Sequence, residues 1–155
     1  MSVVADVISA LLARGLTIAV AESLTGGLLV ADLISVPGAS AVVRGGVVAY
    51  ATDLKASLLG VDAALLAASG PIHPDVARQL ADGVRTRLAA DIGISTTGVA
   101  GPDPQDGHAP GEVWLGFAIG GDVSAVGLSL GGDRDAIRRE TVSESLSRLR
   151  LLLPE

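Results

Sequence analysis

The stretch EVWLGFAIGGDVSAVGLSLGG, residues 112 to 132, sets the strongest limit on what this chain can fold into. Two apolar, β-branched runs flank Gly120-Gly121-Asp122, the turn chemistry of a tight hairpin. A hairpin joins antiparallel neighbours only. Three further strand-like runs precede it, LTIAVA (16–21), AVVRGGVVAYA (41–51) and DIGISTTG (91–98), each separated from the next by helix-length segments. The sheet that accommodates all of them is mixed.

The intervening segments carry helical periodicity. Residues 3–14 place Val4, Ile8, Leu11 and Leu12 on one face, with Gly15 as the C-terminal stop. Thr25 to about Ile34 reads as a second helix, ended by Val36-Pro37-Gly38. Short helices are expected at about 53–58 and 62–68. Pro74 opens a firmer one to about Ala90, with Val76, Leu80, Val84 and Leu88 at four-residue spacing. Asp133 caps a last helix reaching about Leu152. Gly45-Gly46 inside the second strand run marks a bulge or a close backbone approach. The order α-β-α-β-α-α-α-β-β-β-α predicts an α/β fold, a three-layer α/β/α sandwich on a mixed, mostly parallel sheet with an antiparallel hairpin.

A chain of 155 residues suits one domain (1–155), burying roughly 70% of its unfolded surface. Hydrophobic residues make up 49% and aromatics 2%, so the core must be built from Ala, Val, Leu and Ile. No apolar run approaches the roughly 18 residues of a membrane span. The N-terminus carries Asp6 and lacks a basic start, so it reads as a helix, not a signal peptide, and a cytoplasmic protein is expected. Without cysteine there is no disulfide, thiolate nucleophile or Cys-ligated metal. A net charge of −6 with scattered cations argues against nucleic acid. A small anionic ligand is compatible, held by helix N-termini and one or two arginines.

Several residues could carry chemistry. Ser23 follows a buried strand and precedes a helix, a position that exposes a side chain at a sheet's end; Thr25, Gly26 and Gly27 leave room for backbone approach. Ser23 or Thr25 as a helix cap is the competing reading. A serine nucleophile needs a base. Neither histidine fits: His73 stands at a helix entrance, where capping or solvation accounts for it, and His108 lies in the turn-rich loop 99–111. Lys55 is the one lysine beside ten arginines, and lysine, unlike arginine, can lose its proton when buried. Tyr50, the only tyrosine, could relay a proton or position a nucleophile. An exposed lysine and a core tyrosine are the plain alternatives. Thr97 and Gly98 end a strand where a ligand crevice opens in an α/β sheet, or form a simple turn. Arg134 and Arg138, at i and i+4, offer a cationic clamp, or pair with Asp135 and Glu140 on the surface. Two distant histidines and no cysteine argue against a metal site, and no cofactor is called for.

In order, AESLTGG, PGAS, GGVVAYATDLKASLLGV, TTGVAGPD, GEVWLGFA and GGDRDAIRRET resemble the C-terminal domain family of the competence/damage-inducible protein CinA, which includes stand-alone nicotinamide-nucleotide amidases. The resemblance runs from about residue 3 to about 150. It implies hydrolysis of the carboxamide of nicotinamide mononucleotide, yielding nicotinate mononucleotide and ammonia. It also implies Ser23 as nucleophile assisted by Lys55 and Tyr50, with Thr25, Gly26, Gly27, Thr97, Gly98, Arg134 and Arg138 around a small-molecule nucleotide. The oxyanion would meet N–H groups at the start of the second helix with Thr97 or Gly98, and the phosphate Arg138. Neither membrane nor nucleic acid is implied as a partner; a homo-oligomer is compatible. Leu24 replaces a usual cysteine, YATDLK differs from the usual Y-S-N-E-x-K, and the loops 71–75 and 102–112 are altered, departures that bear on substrate affinity. The frequent N-terminal pyrophosphatase-like domain does not precede these motifs. A catalytically silent nucleotide-binding module and an interaction subunit of the same fold are the rival readings.

Overall fold

The computed structural model describes residues 1–155. Its elements follow the predicted order: α1 (Val3–Arg14), β1 (Ile18–Glu22), α2 (Leu28–Ile34), a 3-10 turn (Ala39–Ala41), β2 (Val43–Val48), α3 (Thr52–Leu59), α4 (Ala63–Ser69), α5 (Pro74–Arg87), β3 (Ile92–Gly98), β4 (Glu112–Ile119), β5 (Asp122–Ser129) and α6 (Arg134–Leu152). The 3-10 turn is an addition, and it delays β2 by two residues relative to the apolar run.

The five strands lie in the order β2-β1-β3-β4-β5. β1 pairs parallel to both β2 and β3, whereas β3–β4 and β4–β5 are antiparallel. Parallel and antiparallel pairings are therefore equal in number, so the antiparallel part extends one strand beyond the hairpin. The hairpin tip falls on Gly120 and Gly121, at φ 58° and 89°, which suits the twist of the flanking strands. The expected bulge is present too: Ile18 faces Val43 but Ala19 faces Gly45, leaving Arg44 as the extra residue.

Two cores sandwich the sheet. On one face Ile18 and Val20 of β1, Ile92 and Ile94 of β3, and Val113, Leu115 and Phe117 of β4 pack against α1, α2 and α6. On the other, Ala19 and Ala21 meet Leu59, Leu66, Val76, Leu80 and Val84 from α3, α4 and α5. This second layer is thin because α5 lies almost directly on the strand backbones. A Cβ on Gly93 or Gly116 would stand about 2 Å from the Ala81 or Ala77 carbonyl oxygen. Ser95 Oγ donates to that Ala77 oxygen at 2.6 Å. Small strand residues thus replace the missing aromatic bulk. No helix is long and apolar enough to cross a membrane.

From β1 the chain passes to one neighbour, β2, and returns to the other side as β3. All three parallel strands release their carboxyl ends at the same edge, where an open α/β sheet forms its crevice. Ser23, Ala49-Tyr50 and Val99 follow those three ends directly.

Candidate active site

Glu22 prepares the turn that carries Ser23. Its side chain is 1% exposed at the end of β1, where an unpaired carboxylate would be costly. It is satisfied by the start of α2: Oε1 accepts from the N–H of Gly27 at 3.2 Å and Leu29 at 2.9 Å, and Oε2 from Val30 at 3.0 Å. The negative group thus sits where the helix leaves donors free. Glu22 is a structural anchor. Two expectations are corrected by it: neither Ser23 nor Thr25 caps the helix through its side chain, and the N–H groups opening α2 are occupied, hence not open to an oxyanion. The helix also starts three residues later than the sequence suggests, because Gly26 and Gly27 take positive φ before it.

The rest of the turn is pinned from two directions. Ser23 N donates to Thr96 Oγ1 at 3.3 Å, and Thr25 Oγ1 lies 2.8 Å from the same hydroxyl, so Thr25 points inward and is fully buried. From α6, Arg138 donates through Nε to the Leu24 carbonyl at 2.8 Å and through Nη2 to the Thr25 carbonyl at 3.3 Å. A Cβ on Gly26 would come within 3.2 Å of that guanidinium. Arg138 thus braces the serine turn and stands outside the cavity lining.

Lys55 approaches from α3, 1% exposed although it is charged in water. Its Nζ lies 3.1 Å from Ser23 Oγ, 2.6 Å from the Ala49 carbonyl and 3.5 Å from the Tyr50 carbonyl. Burial lowers its pKa from 10.5 to about 8. A neutral amine has two N–H donors and one lone pair. Carbonyl oxygens can only accept, so the two carbonyls take the protons and leave the lone pair facing the one partner that can donate, the serine hydroxyl.

Ser23 and Lys55 open onto a cavity of about 410 Å³, within the range of small-ligand sites. Tyr50, Thr97, Gly98 and Arg134 also line it, whereas Thr25, Gly26, Gly27 and Arg138 do not. Tyr50 is 63% exposed, not a core residue. Its hydroxyl accepts from Arg134 Nη2 at 3.3 Å and bonds to neither Ser23 nor Lys55; only its carbonyl faces the amine. Arg134 Nη1 donates to the Gly101 carbonyl at 2.6 Å, fixing the guanidinium at the mouth. The Thr97 hydroxyl donates to the Pro71 carbonyl at 2.7 Å. Gly98 is tightly packed: a Cβ there would stand 2.5 Å from the Glu112 carbonyl oxygen.

Pro71 and Ile72, and Pro102 to Gln105, complete the wall, so both altered loops are parts of the cavity. His73 caps α5, its Nδ1 accepting from Asp75 N at 3.1 Å. His108 contacts the Glu112 carboxylate at the foot of its loop. No three His, Cys, Asp or Glu side chains converge. Thr96 escaped sequence reasoning; for Glu22, which the sequence left open between a structural anchor and a partner for a cationic ring, the hydrogen bonds to the start of α2 show the anchor.

A buried amine beside a serine hydroxyl, at the carboxyl edge of a mixed α/β sheet, forms a Ser–Lys pair, an arrangement chemically capable of acyl transfer. The model of the CinA C-terminal domain matches residues 1–153, and the chain belongs to that family. It is 48% identical over 147 residues to a CinA-like protein of Frankia casuarinae, covering 95% of this chain and 34% of that protein. With a CinA-like protein of Anaeromyxobacter dehalogenans it shares 47% over 148 residues, 95% and 36% of the two chains. The chain therefore spans about a third of the length of these curated relatives. Among solved structures, a CinA superfamily protein from Klebsiella pneumoniae superposes with a TM-score of 0.94 at 31% identity, over 97% of this chain and 95% of that one. The competence/damage inducible protein CihA from Agrobacterium tumefaciens gives 0.93 at 33%, over 97% and 93%.

Proposed function

We propose that this chain is an amidohydrolase that converts nicotinamide mononucleotide to nicotinate mononucleotide and ammonia. The observation that carries the chemistry is the buried Lys55 amine, held by the Ala49 carbonyl and 3.1 Å from Ser23 Oγ, where its neutral form can take the serine proton. Family membership supports the substrate.

In this reading Ser23 Oγ attacks the carboxamide carbon as Lys55 takes its proton. The tetrahedral intermediate collapses when the lysine ammonium returns that proton to the departing nitrogen, releasing ammonia and leaving an ester on Ser23. Water, deprotonated by the same amine, attacks the ester and frees the carboxylate. The Leu24 N–H has no partner within the chain and follows the nucleophile directly, so it is one donor open to the oxyanion. Arg134 is the cation left to meet the phosphate.

The test is release of ammonia and nicotinate mononucleotide from nicotinamide mononucleotide, run beside Ser23→Ala. Turnover that disappears in the variant supports the amidase and its nucleophile. Thermal protection by the nucleotide without turnover would favour a silent binding module instead. The absence of both turnover and protection would sink the proposal.

A further inference from the structure

We infer that Tyr50 is the platform on which the flat, cationic pyridinium ring of the substrate lies, between the Ser23–Lys55 pair and Arg134. The inference rests on the amidase reading and specifies how that site selects its substrate.

Three aromatic residues are present, one each of Phe, Trp and Tyr. Phe117 is 1% exposed inside the core. Trp114 lies over Gly127, where an added Cβ would meet its ring at 2.9 Å. Tyr50 alone lines the cavity, and it keeps most of its surface open. Its ring is nevertheless tethered at the hydroxyl, while the backbone it grows from faces the amine. The backbone carbonyl is 3.5 Å from Lys55 Nζ, and the hydroxyl is 3.3 Å from an arginine that is itself fixed on the Gly101 carbonyl. A ring tethered at its tip on a residue that is mostly exposed presents a preorganised flat surface to the cavity it lines.

These contacts also fix a sequence of groups along the cavity: nucleophile and base at the root of Tyr50, the ring next, and a guanidinium at its tip. An N-alkylated nicotinamide bearing a phosphate has the same sequence, with carboxamide, cationic ring and anion in turn. An aromatic face attracts a cation lying over it.

The phenol hydroxyl contacts neither Ser23 nor Lys55, so the ring and not the proton is what Tyr50 contributes. Tyr50→Leu, Tyr50→Phe and Tyr50→Trp separate the two roles, and the exposed position makes each variant foldable. Binding to Ser23→Ala backgrounds is measured by calorimetry, with nicotinamide mononucleotide and its reduced, uncharged dihydropyridine form as probes. Tyr50→Leu is expected to weaken the oxidised nucleotide on the order of tenfold while the reduced form shifts about twofold or less. Tyr50→Phe and Tyr50→Trp should bind nearly as the parent does. In the active protein, Tyr50→Leu should raise KM and leave kcat within about threefold. A fall in kcat at unchanged KM, equal losses for Leu and Phe, or equal weakening of both nucleotide forms would overturn the inference. A parent that neither binds nor turns over the oxidised nucleotide overturns the amidase reading and this one together. A parent that does so, with affinity unchanged in Tyr50→Leu, overturns this one alone.

Discussion

Lys55 Nζ stands 3.1 Å from Ser23 Oγ although the two residues are 32 positions apart, and the amine is buried without a carboxylate to balance it. Burial of an unbalanced cation destabilises the charged form, and that is the source of the lowered pKa. One packing decision therefore eases deprotonation of the amine and imposes a stability penalty together.

The penalty gives a signed prediction. The unfolded chain keeps a proton on Lys55 up to about 10.5, the folded chain only to about 8. Between these values the unfolded state binds more protons, so this group's contribution makes stability rise with pH, and the penalty is fully present below about 8. Lys55→Met removes a cost on the order of 3 kcal/mol, offset in part by the Ala49 carbonyl losing its donor. At pH 7 the variant should be more stable than the parent by about 1 kcal/mol or more. That gap should close towards pH 10.5. Urea unfolding across this range checks it; a gap independent of pH refutes the assignment.

Activity should follow the same group in the same direction. The amine works unprotonated, so the rate should climb with pH and level off above about 8. With Lys55→Met the rate should fall by about 10²- to 10⁴-fold, as for loss of a general base. Lys55→Arg keeps the charge but cannot deprotonate, and near-normal turnover by it would exclude the base. As this is the only lysine, its side-chain NMR signal titrates without overlap from another.

Glu22 is expected to fail under the mildest substitution. Glu22→Gln turns an amide NH₂ towards N–H groups of Gly27, Leu29 or Val30, leaving donors facing donors. A loss of about 2–4 kcal/mol in unfolding free energy is expected, with kcat falling as the Ser23 turn loosens. Unchanged stability would mean the helix start tolerates the amide and the anchor is not one.

The two arginines of α6 should separate kinetically. Arg134→Met removes a cavity-lining cation and should raise KM for the phosphorylated substrate on the order of tenfold, with less effect on an unphosphorylated riboside. Arg138→Met removes the brace on the Leu24 and Thr25 carbonyls and should lower kcat for both substrates alike. Interchanged effects would return the phosphate to Arg138.

Where side chains obey local rules, the sequence was readable. Gly120-Gly121 marked the hairpin, Gly15 and Asp133 the helix ends, and the solitary lysine among arginines the amine that lies beside Ser23. Contacts set by register across the sheet were not readable. Thr96 looks like its neighbour Thr97, yet alternation along β3 turns one hydroxyl to the serine turn and the other to Pro71. Arg138 matched a ligand clamp in sequence because a guanidinium suits a phosphate and a pair of carbonyls equally. Glu22 caps a helix from up to eight residues upstream, beyond the positions where a cap is ordinarily sought.

Arg138 acts on a carbonyl 114 residues earlier in the chain. During synthesis Ser23 and Lys55 leave the ribosome before the brace on the serine turn, which belongs to α6, the last helix of the domain. A nascent chain arrested before α6 would carry the reactive pair without the support that aims it. The order of translation thus withholds a finished centre until the domain has closed around it.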